Sequence, residues 1–309
     1  MKVPGAFIFK WFSRLKLRLG YRHCDNIKKM DRVIVVTDSN ATVPPDILQE
    51  LDIKVVPLIL NIGGKSFKDG LDITPNEFYR QQRILKYTLK TSSPSVVDFL
   101  NVYKLGMGSS KGIVSIHLPG ILSGTLEVAR TASQLVEGVE IIVMDSNSVA
   151  MGQGFVVIEA ARVAAEGKSL NEVKQRARDI SQKMHFIAML DTLEYLQRGG
   201  RIGGVAALMG MMLKIKPVVT MRAGRVEPLA KPRTKTKALE YIMDQMKNEI
   251  GKKPVHIAVL HTDVQDEAVR FSQLLKSTFD CVEMFITELT PVMGAHGGPG
   301  VLGTAFYCD

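Results

Sequence analysis

Short runs of consecutive apolar residues alternate with longer stretches of helical period along most of this chain. Val33-Ile34-Val35-Val36 is apolar throughout, as a strand buried on both faces of a parallel sheet must be. Comparable runs lie at 55–60, 112–117, 140–144, 185–190, 216–220, 256–261 and 282–286. Apolar residues recur at helical spacing over 74–85, 95–105, 125–136, 155–166, 170–183, 236–249 and 264–279. The alternation predicts an α/β fold with parallel sheet in at least the first half. The run 226–229, between Gly224 and Lys231, reads instead as one arm of an antiparallel hairpin. The chain thus divides into a parallel three-layer α/β/α domain over 31–168 and a second α/β domain with a mixed sheet over 169–309. The seam falls where Glu166-Gly167-Lys168-Ser169 separates two helices. Residues 1–30 are left as an extension.

Composition changes this picture at one end. The 309 residues carry a net charge of +9. Six of the basic residues, Lys2, Lys10, Arg14, Lys16, Arg18 and Arg22, fall within residues 1–24, which contain no acid. The other 285 residues hold 34 basic against 31 acidic side chains, a net of +3, so a general nucleic-acid surface is not indicated. In the basic arm Phe7, Ile8, Trp11, Phe12, Leu15 and Leu19 recur at helical spacing. Such a helix suits the surface of an anionic membrane, and its apolar runs are too short to span one. Charges interrupt any signal-peptide core. The three cysteines, Cys24, Cys281 and Cys308, lie far apart without a CxxC pair, which fits a reducing cytosol and suggests neither a disulfide framework nor a zinc site.

In open α/β sheets ligands bind beyond the carboxyl ends of parallel strands. Four polar sets occupy or adjoin such places: Thr37-Asp38-Ser39, Thr91-Ser92-Ser93-Pro94-Ser95, Leu122-Ser123-Gly124-Thr125 and Asp145-Ser146-Asn147. Each alone reads as a helix cap or turn, and Ser95 with Asp98 has the spacing of a capping box. Near the end, Pro291 to Gly303 holds His296 among five glycines. Alone it reads as a turn with a helix; beside the hydroxyl loops it reads as a small anion cradle, because glycine lets backbone N–H groups approach a ligand. The familiar catalytic apparatus is absent. No Gly-x-x-x-x-Gly-Lys-Ser/Thr offers a P-loop, no Gly-x-Gly-x-x-Gly follows the first strand, and Ser123 is outside a Gly-x-Ser-x-Gly elbow. His256 and His261, five apart on one strand, face opposite ways and cannot share a metal. The remaining donors suit a carboxylate or phosphate.

These motifs, in this order and spacing, resemble those of the DegV family, whose characterised members are bacterial fatty-acid-binding proteins. The likeness runs from Val33 to Tyr307. It rests on Thr37-Asp38-Ser39, Thr91 to Ser95, Ser123-Gly124-Thr125, Asp145-Ser146, Leu193 to Leu196 with Gly199-Gly200-Arg201-Ile202, Lys216-Pro217, Lys231 to Thr234 and His296 to Gly300. The resemblance implies a two-domain DegV-like fold holding one long-chain fatty acid between the domains. Its acyl chain would lie in an apolar tunnel and its carboxylate at Thr91, Ser123 and His296. Ser92, Gly124, Gly297 and Arg233 would stand near the head group or a partner. It further implies no metal and no cofactor, and a separate ATP-dependent fatty acid kinase subunit as partner, which converts the carboxylate to acyl phosphate for phospholipid metabolism. By the same resemblance the chain acts as the lipid-binding subunit without catalysing alone; its cysteine usage makes it cytoplasmic, and its arm pattern, not the resemblance, lets it meet the membrane, if anywhere, through residues 1–24. Leu118 to Ile121 replace the family's usual serines, Gly297 stands where threonine is common, and the basic arm is not shared.

The chemistry of the ligand sets two demands. Its methylenes gain about 0.8 kcal/mol each on burial, so roughly sixteen carbons gain on the order of 10 kcal/mol before ordering costs. Met107, Met209, Met211, Met212 and Met293 are adaptable side chains for such a wall, or ordinary core fillers. The carboxylate needs donors, which Thr91, Ser123 and His296 supply; a protonated His296 would also balance its charge. Two other readings stay open. One is a serine esterase with Ser123 as nucleophile and His296-Gly297-Gly298 as oxyanion hole. The other is a carrier of a different apolar acid.

Overall fold

The structure, a computed structural model, describes residues 32–82, 89–107 and 110–309, without the side chains of Met212 and Leu213. The basic arm, Cys24 and the last turn of the helix expected to reach residue 85 lie outside the described residues. The first sheet contains β1 (Ile34–Asp38), β2 (Lys54–Val56), β6 (Ile113–His117) and β7 (Ile141–Asp145). Its order is β2-β1-β6-β7 and every pair is parallel. The second sheet contains β8 (His185–Met189), β9 (Val218–Arg222), β10 (Arg225–Ala230), β11 (Val255–His261), β12 (Cys281–Glu288) and β13 (Leu302–Cys308). Its order is β10-β9-β8-β13-β11-β12, and only β11 and β12 run parallel. The α/β class, the parallel first sheet and the mixed second sheet agree with the expectation.

Side-chain alternation along each strand explains the layering. Ile34 and Val36 of β1 pack with Phe99, Tyr103, Ala129 and Ala132 of the helices Val96–Tyr103 and Thr125–Gln134. Val33 and Val35 point the other way, into the largest core, with the helices Met151–Ala165 and Leu170–Lys183. That core continues to Phe186, Ala188, Ala258, Leu260 and Ala305 on one face of the mixed sheet. Ile187, Met189, Ile257, Val259 and Phe306 form the opposite face, covered by the helices Lys235–Ile250 and Gln265–Thr278. The result is five layers, helices between and outside two sheets. The middle helices join at Gly167, whose φ of 79° suits glycine.

Three elements depart from the sequence reading. The run at 55–60 is two strands in two sheets: β2 ends at Val56, Pro57 lacks the N–H that would continue the ladder, and β3 (Ile59–Ile62) joins a separate sheet. That sheet, of order β4-β3-β5, adds β4 (Lys65–Lys68) and β5 (Lys90–Ser92), so Thr91 lies on a short strand and not in a loop. The glycine-rich stretch from Pro291 becomes a helix, Pro291–Gly297, followed by a turn and by β13, a fully paired strand in the mixed sheet. His296 is therefore helical. Cys281 and Cys308 are free and sit on either side of Val255 in register, one strand apart from it each way.

Candidate functional site

Residues from both halves enclose one cavity of about 370 Å³, within the range of small-molecule sites. Its floor is one face of the mixed sheet: Phe186, Ala188 and Leu190 at alternate positions along and just beyond β8, with Val219 and Met221 of β9. Its roof brings Leu58, Leu118, Leu122 and Val149 from the first half. Leu289, Val292, Met293 and Val301 close one side. Of the five methionines named from sequence only Met293 lines it. Met107 and Met211 are exposed, Met209 packs on the core, and the side chain of Met212 lies outside the described residues.

Polar groups gather where Thr91, Ser92, Ser93, Ser123 and Gly124 meet His296 and Gly297. Several bonds set this end. Tyr79 Oη donates to Leu289 O at 2.9 Å and Gln82 Nε2 to Gly294 O at 3.1 Å, which seat the Pro291–Gly297 helix on the helix Pro75–Gln82. Asp69 accepts from Ser39 Oγ (2.7 Å) and from Val292 N (3.0 Å), which ties that helix to the end of β1. Thr91 Oγ1 and His296 Nε2 then come within 2.8 Å across 205 residues of sequence. Ser123 Oγ stands 2.9 Å from Thr125 Oγ1 and 3.5 Å from Ser93 Oγ. The bland capping reading holds for Ser95, which closes a capping box with Asp98. It holds only in part for Ser123: Gly124 is the N-cap residue of its helix, but Ser123 Oγ accepts from Thr125 N at 3.3 Å.

Arg201 is the charged residue that sequence reasoning did not single out, although it stood in a quoted motif. Its Nε donates to Leu122 O at 3.0 Å and its Nη1 to Gly199 O at 2.6 Å. Among the described residues no acid pairs with it. Arg201 also lines a second, shallower cleft with Gly120, Ile121, Gly200, Gly203 and Arg225. The two spaces share Leu122, Ser123, Gly124, Arg201 and Val226, so the polar end of the cavity opens onto a basic surface. Arg233 is exposed and lines neither.

Burial, and then the nearby positive charge of Arg201, push the His296 imidazole down to about 4. Burial thus favours the neutral imidazole, and the guanidinium of Arg201 is a standing positive charge beside it. The sign for stability follows. A histidine whose folded value lies below the ordinary 6.5 contributes fully above 6.5 and loses that contribution as pH falls toward 4. The stability difference between wild type and His296→Gln is expected to shrink between pH 6.5 and pH 4 in urea titrations. Parallel pH curves for the two proteins would contradict the shift.

Ser123 has no histidine within hydrogen-bond reach, since His296 is committed to Thr91. A Ser–His–Asp alignment does exist elsewhere: Tyr103 Oη donates to Ser115 Oγ (2.8 Å), Ser115 Oγ meets His117 Nε2 (2.7 Å), and His117 Nδ1 meets Asp38 Oδ2 (2.8 Å). All four are fully buried, so no substrate reaches the serine. Asp38 also accepts from Asn40 N and Leu118 N, fixing two cavity residues at the ends of β1 and β6. Among the described residues no group of three or more His, Cys, Asp or Glu is placed to hold a metal. No described helix is long and apolar enough to cross a membrane.

Comparison with known proteins agrees with this fold. The profile of a family described as "uncharacterised protein, DegV family" matches residues 32–309. A DegV domain-containing protein of Clostridium acetobutylicum is 36% identical over 282 residues, 90% of this chain and 98% of that protein. One of Caldanaerobacter subterraneus subsp. tengcongensis is 33% identical over 278 residues, 90% of this chain and 99% of that protein. A solved fatty-acid-binding DegV family protein from Thermus thermophilus superposes with a TM-score of 0.85 at 33% identity, over 90% of this chain and 100% of that one. DegV, a fatty acid binding protein from Bacillus subtilis, gives 0.84 at 26% identity, over 90% and 99%.

Proposed function

The chain belongs to the DegV family, and on that footing we propose that it binds one long-chain fatty acid between 31–168 and 169–309 and presents the carboxylate to a separate ATP-dependent kinase. The observation that carries this reading is the cavity itself: apolar along its length, with hydroxyls, a neutral imidazole and one unpaired arginine at a single end. The similar proteins from Thermus thermophilus and Bacillus subtilis bind fatty acids.

The head group meets donors in a defined order. Neutral His296 with its proton on Nε2 donates to Thr91 Oγ1, which leaves the Thr91 proton for the carboxylate. Ser123 receives from Thr125 Oγ1 and turns its own proton the same way. Arg201 supplies the positive charge that a buried carboxylate requires. Ser92, Gly124 and Gly297 shape this end, and the basic cleft beside it is the side from which a phosphoryl donor reaches the exposed carboxylate oxygen. Exposed Arg233 belongs to the partner's contact, and residues 1–24 to the membrane surface from which the acid is loaded. The protein holds the nucleophile and does no chemistry alone.

Replacement of Thr91 or Ser123 by alanine is expected to weaken binding of palmitate about tenfold, one hydrogen bond to a charged group each, and replacement of His296 by a similar factor, because the bond that orients the Thr91 proton is lost. Titration calorimetry reads this directly. Wild-type affinity in all three variants would remove the head-group assignment, and acyl phosphate formed from ATP and fatty acid by this protein alone would remove the partner.

A further inference from the structure

Two aspartates that stand out in the sequence, Asp38 and Asp145, take no part in the head-group contacts above. Asp38 closes β1 and Asp145 closes β7. These strands run parallel to β6 on either side of it. Both carboxylates therefore stand at the edge of the sheet where β6 ends at His117 and the loop 118–124 begins. That loop carries Ser123.

Both carboxylates reach across to it. Asp38 Oδ2 accepts from Leu118 N at 3.2 Å, and Asp145 Oδ2 accepts from Gly120 N at 3.0 Å. Between these two bonds, Pro119 O accepts from Leu122 N at 2.9 Å and from Ser123 N at 3.2 Å. One turn thus connects the gripped peptides to Ser123. The loop also lies close on the helix that follows it: a Cβ at Gly120 would come within 3.1 Å of Leu126 Cδ2.

The two aspartates are differently placed. Asp38 is fully buried, with His117 Nδ1 at 2.8 Å and Asn40 N at 3.1 Å as further partners. Removing it strips buried N–H groups of their acceptor, which damages the fold before the site. Asp145 is half-buried. Its Oδ1 accepts from Asn147 N at 2.7 Å, the local turn expected of an aspartate there. That turn needs one oxygen. The second, Oδ2, holds the neighbouring loop 25 residues away.

We infer that Asp145, with Asp38 beside it, is a positioning residue for the head group: it fixes the loop 118–124 at the height where Ser123 Oγ meets the carboxylate. This rests on the fatty-acid reading above and adds residues to its site. A hydroxyl presented by a loop keeps its aim only while the loop is held to within about 0.5 Å by supporting bonds. The head-group donors then fall into two separately supported sets. Thr91 is placed by β5 and by His296, independently of Asp145. Ser123 depends on Asp145.

The test introduces Asp145→Ala into the wild type, into Ser123→Ala and into Thr91→Ala, and titrates each protein with palmitate. In the wild type the expected weakening is about three- to tenfold, bounded by the loss of the one bond that Ser123 makes. The same factor persists in Thr91→Ala, and it falls to about one in Ser123→Ala, where the group being positioned is already gone. Asp145→Asn leaves a single oxygen for two donors that now have one each, so it shows the same pattern and replaces the alanine variant should that one not fold. An aspartate that only supports the fold would weaken both backgrounds equally. That result, or unchanged affinity in the wild-type background, overturns the inference and leaves the fatty-acid reading standing. Failure of the wild type to bind palmitate overturns both.

Discussion

Replacing Glu283 by alanine is expected to lower the unfolding free energy by about 3 kcal/mol. Glu283 lies on β12 and accepts from Arg162 Nη1 at 2.9 Å, from Arg162 Nη2 at 2.7 Å and from His256 Nδ1 at 2.6 Å. Burial pushes its carboxyl up, but the bonds and charges of Arg162 and His256 outweigh that and hold it at about 2. His256, stacked on Tyr307 with ring centroids 4.4 Å apart, is raised in return: burial lowers it, and the bond to Glu283 more than reverses this. The group joins the helix Met151–Ala165 to the mixed sheet beside the largest core. Removing the carboxylate leaves a guanidinium and an imidazole facing each other in a half-dry space. Arg162 keeps Glu159 as a partner and part of its solvation, so the loss sits at the low end of the range for breaking a buried pair. The pH dependence has two signs. The Glu283 contribution is present above the ordinary glutamate value of 4.5 and is lost as pH falls toward 2. The His256 contribution is present below 6.5 and fades as pH rises through its raised value. Urea unfolding at neutral pH measures the first claim, and a loss below about 1 kcal/mol would mean that water already screens the network.

The second large effect is on binding. Gly199→Ala is expected to weaken fatty-acid affinity about tenfold, as His296→Ala does, while changing stability little. The backbone at Gly199 has φ −76°, which alanine adopts freely, so conformation is not the obstacle. The obstacle is the His296 ring: a Cβ at Gly199 would strike it, lying 2.8 Å from Cε1 and closer still to Nδ1. The ring must swing away, and the 2.8 Å contact with Thr91 Oγ1 breaks with it. The Thr91 proton is then no longer directed at the head group. His296→Ala in the same background should add little, because the interaction is already gone. Independent, additive losses in that double-mutant cycle would refute the mechanism.

Much of this was legible in the sequence, element by element. Val33 to Val36 reads as a two-sided buried strand because a parallel strand covered on both faces has no polar position to spare. The helix Leu170–Lys183 was bounded correctly because Ser169 and Glu172 form a capping box at its start. The failures have equally local causes. β13 hides in a stretch whose glycines speak for a loop; Gly303 is small because a Cβ there would strike Ala188 and the Ile187 carbonyl on β8. β5 is three residues long, too short for any period to show. Arg201 carried no signal of its own, since an arginine beside two glycines is common on surfaces.

Local pattern, which is a property of neighbours in sequence, determined the α/β class, the two kinds of sheet, and the residues with the chemistry to hold an anion. Tertiary structure alone decided that Thr91 meets His296 and that Arg201 stands beside the same cavity. The physical reason is that a cavity is where side chains from distant segments fail to fill a volume, and a hydrogen-bond chain is a count over all of its members. Neither is written in any one stretch of residues.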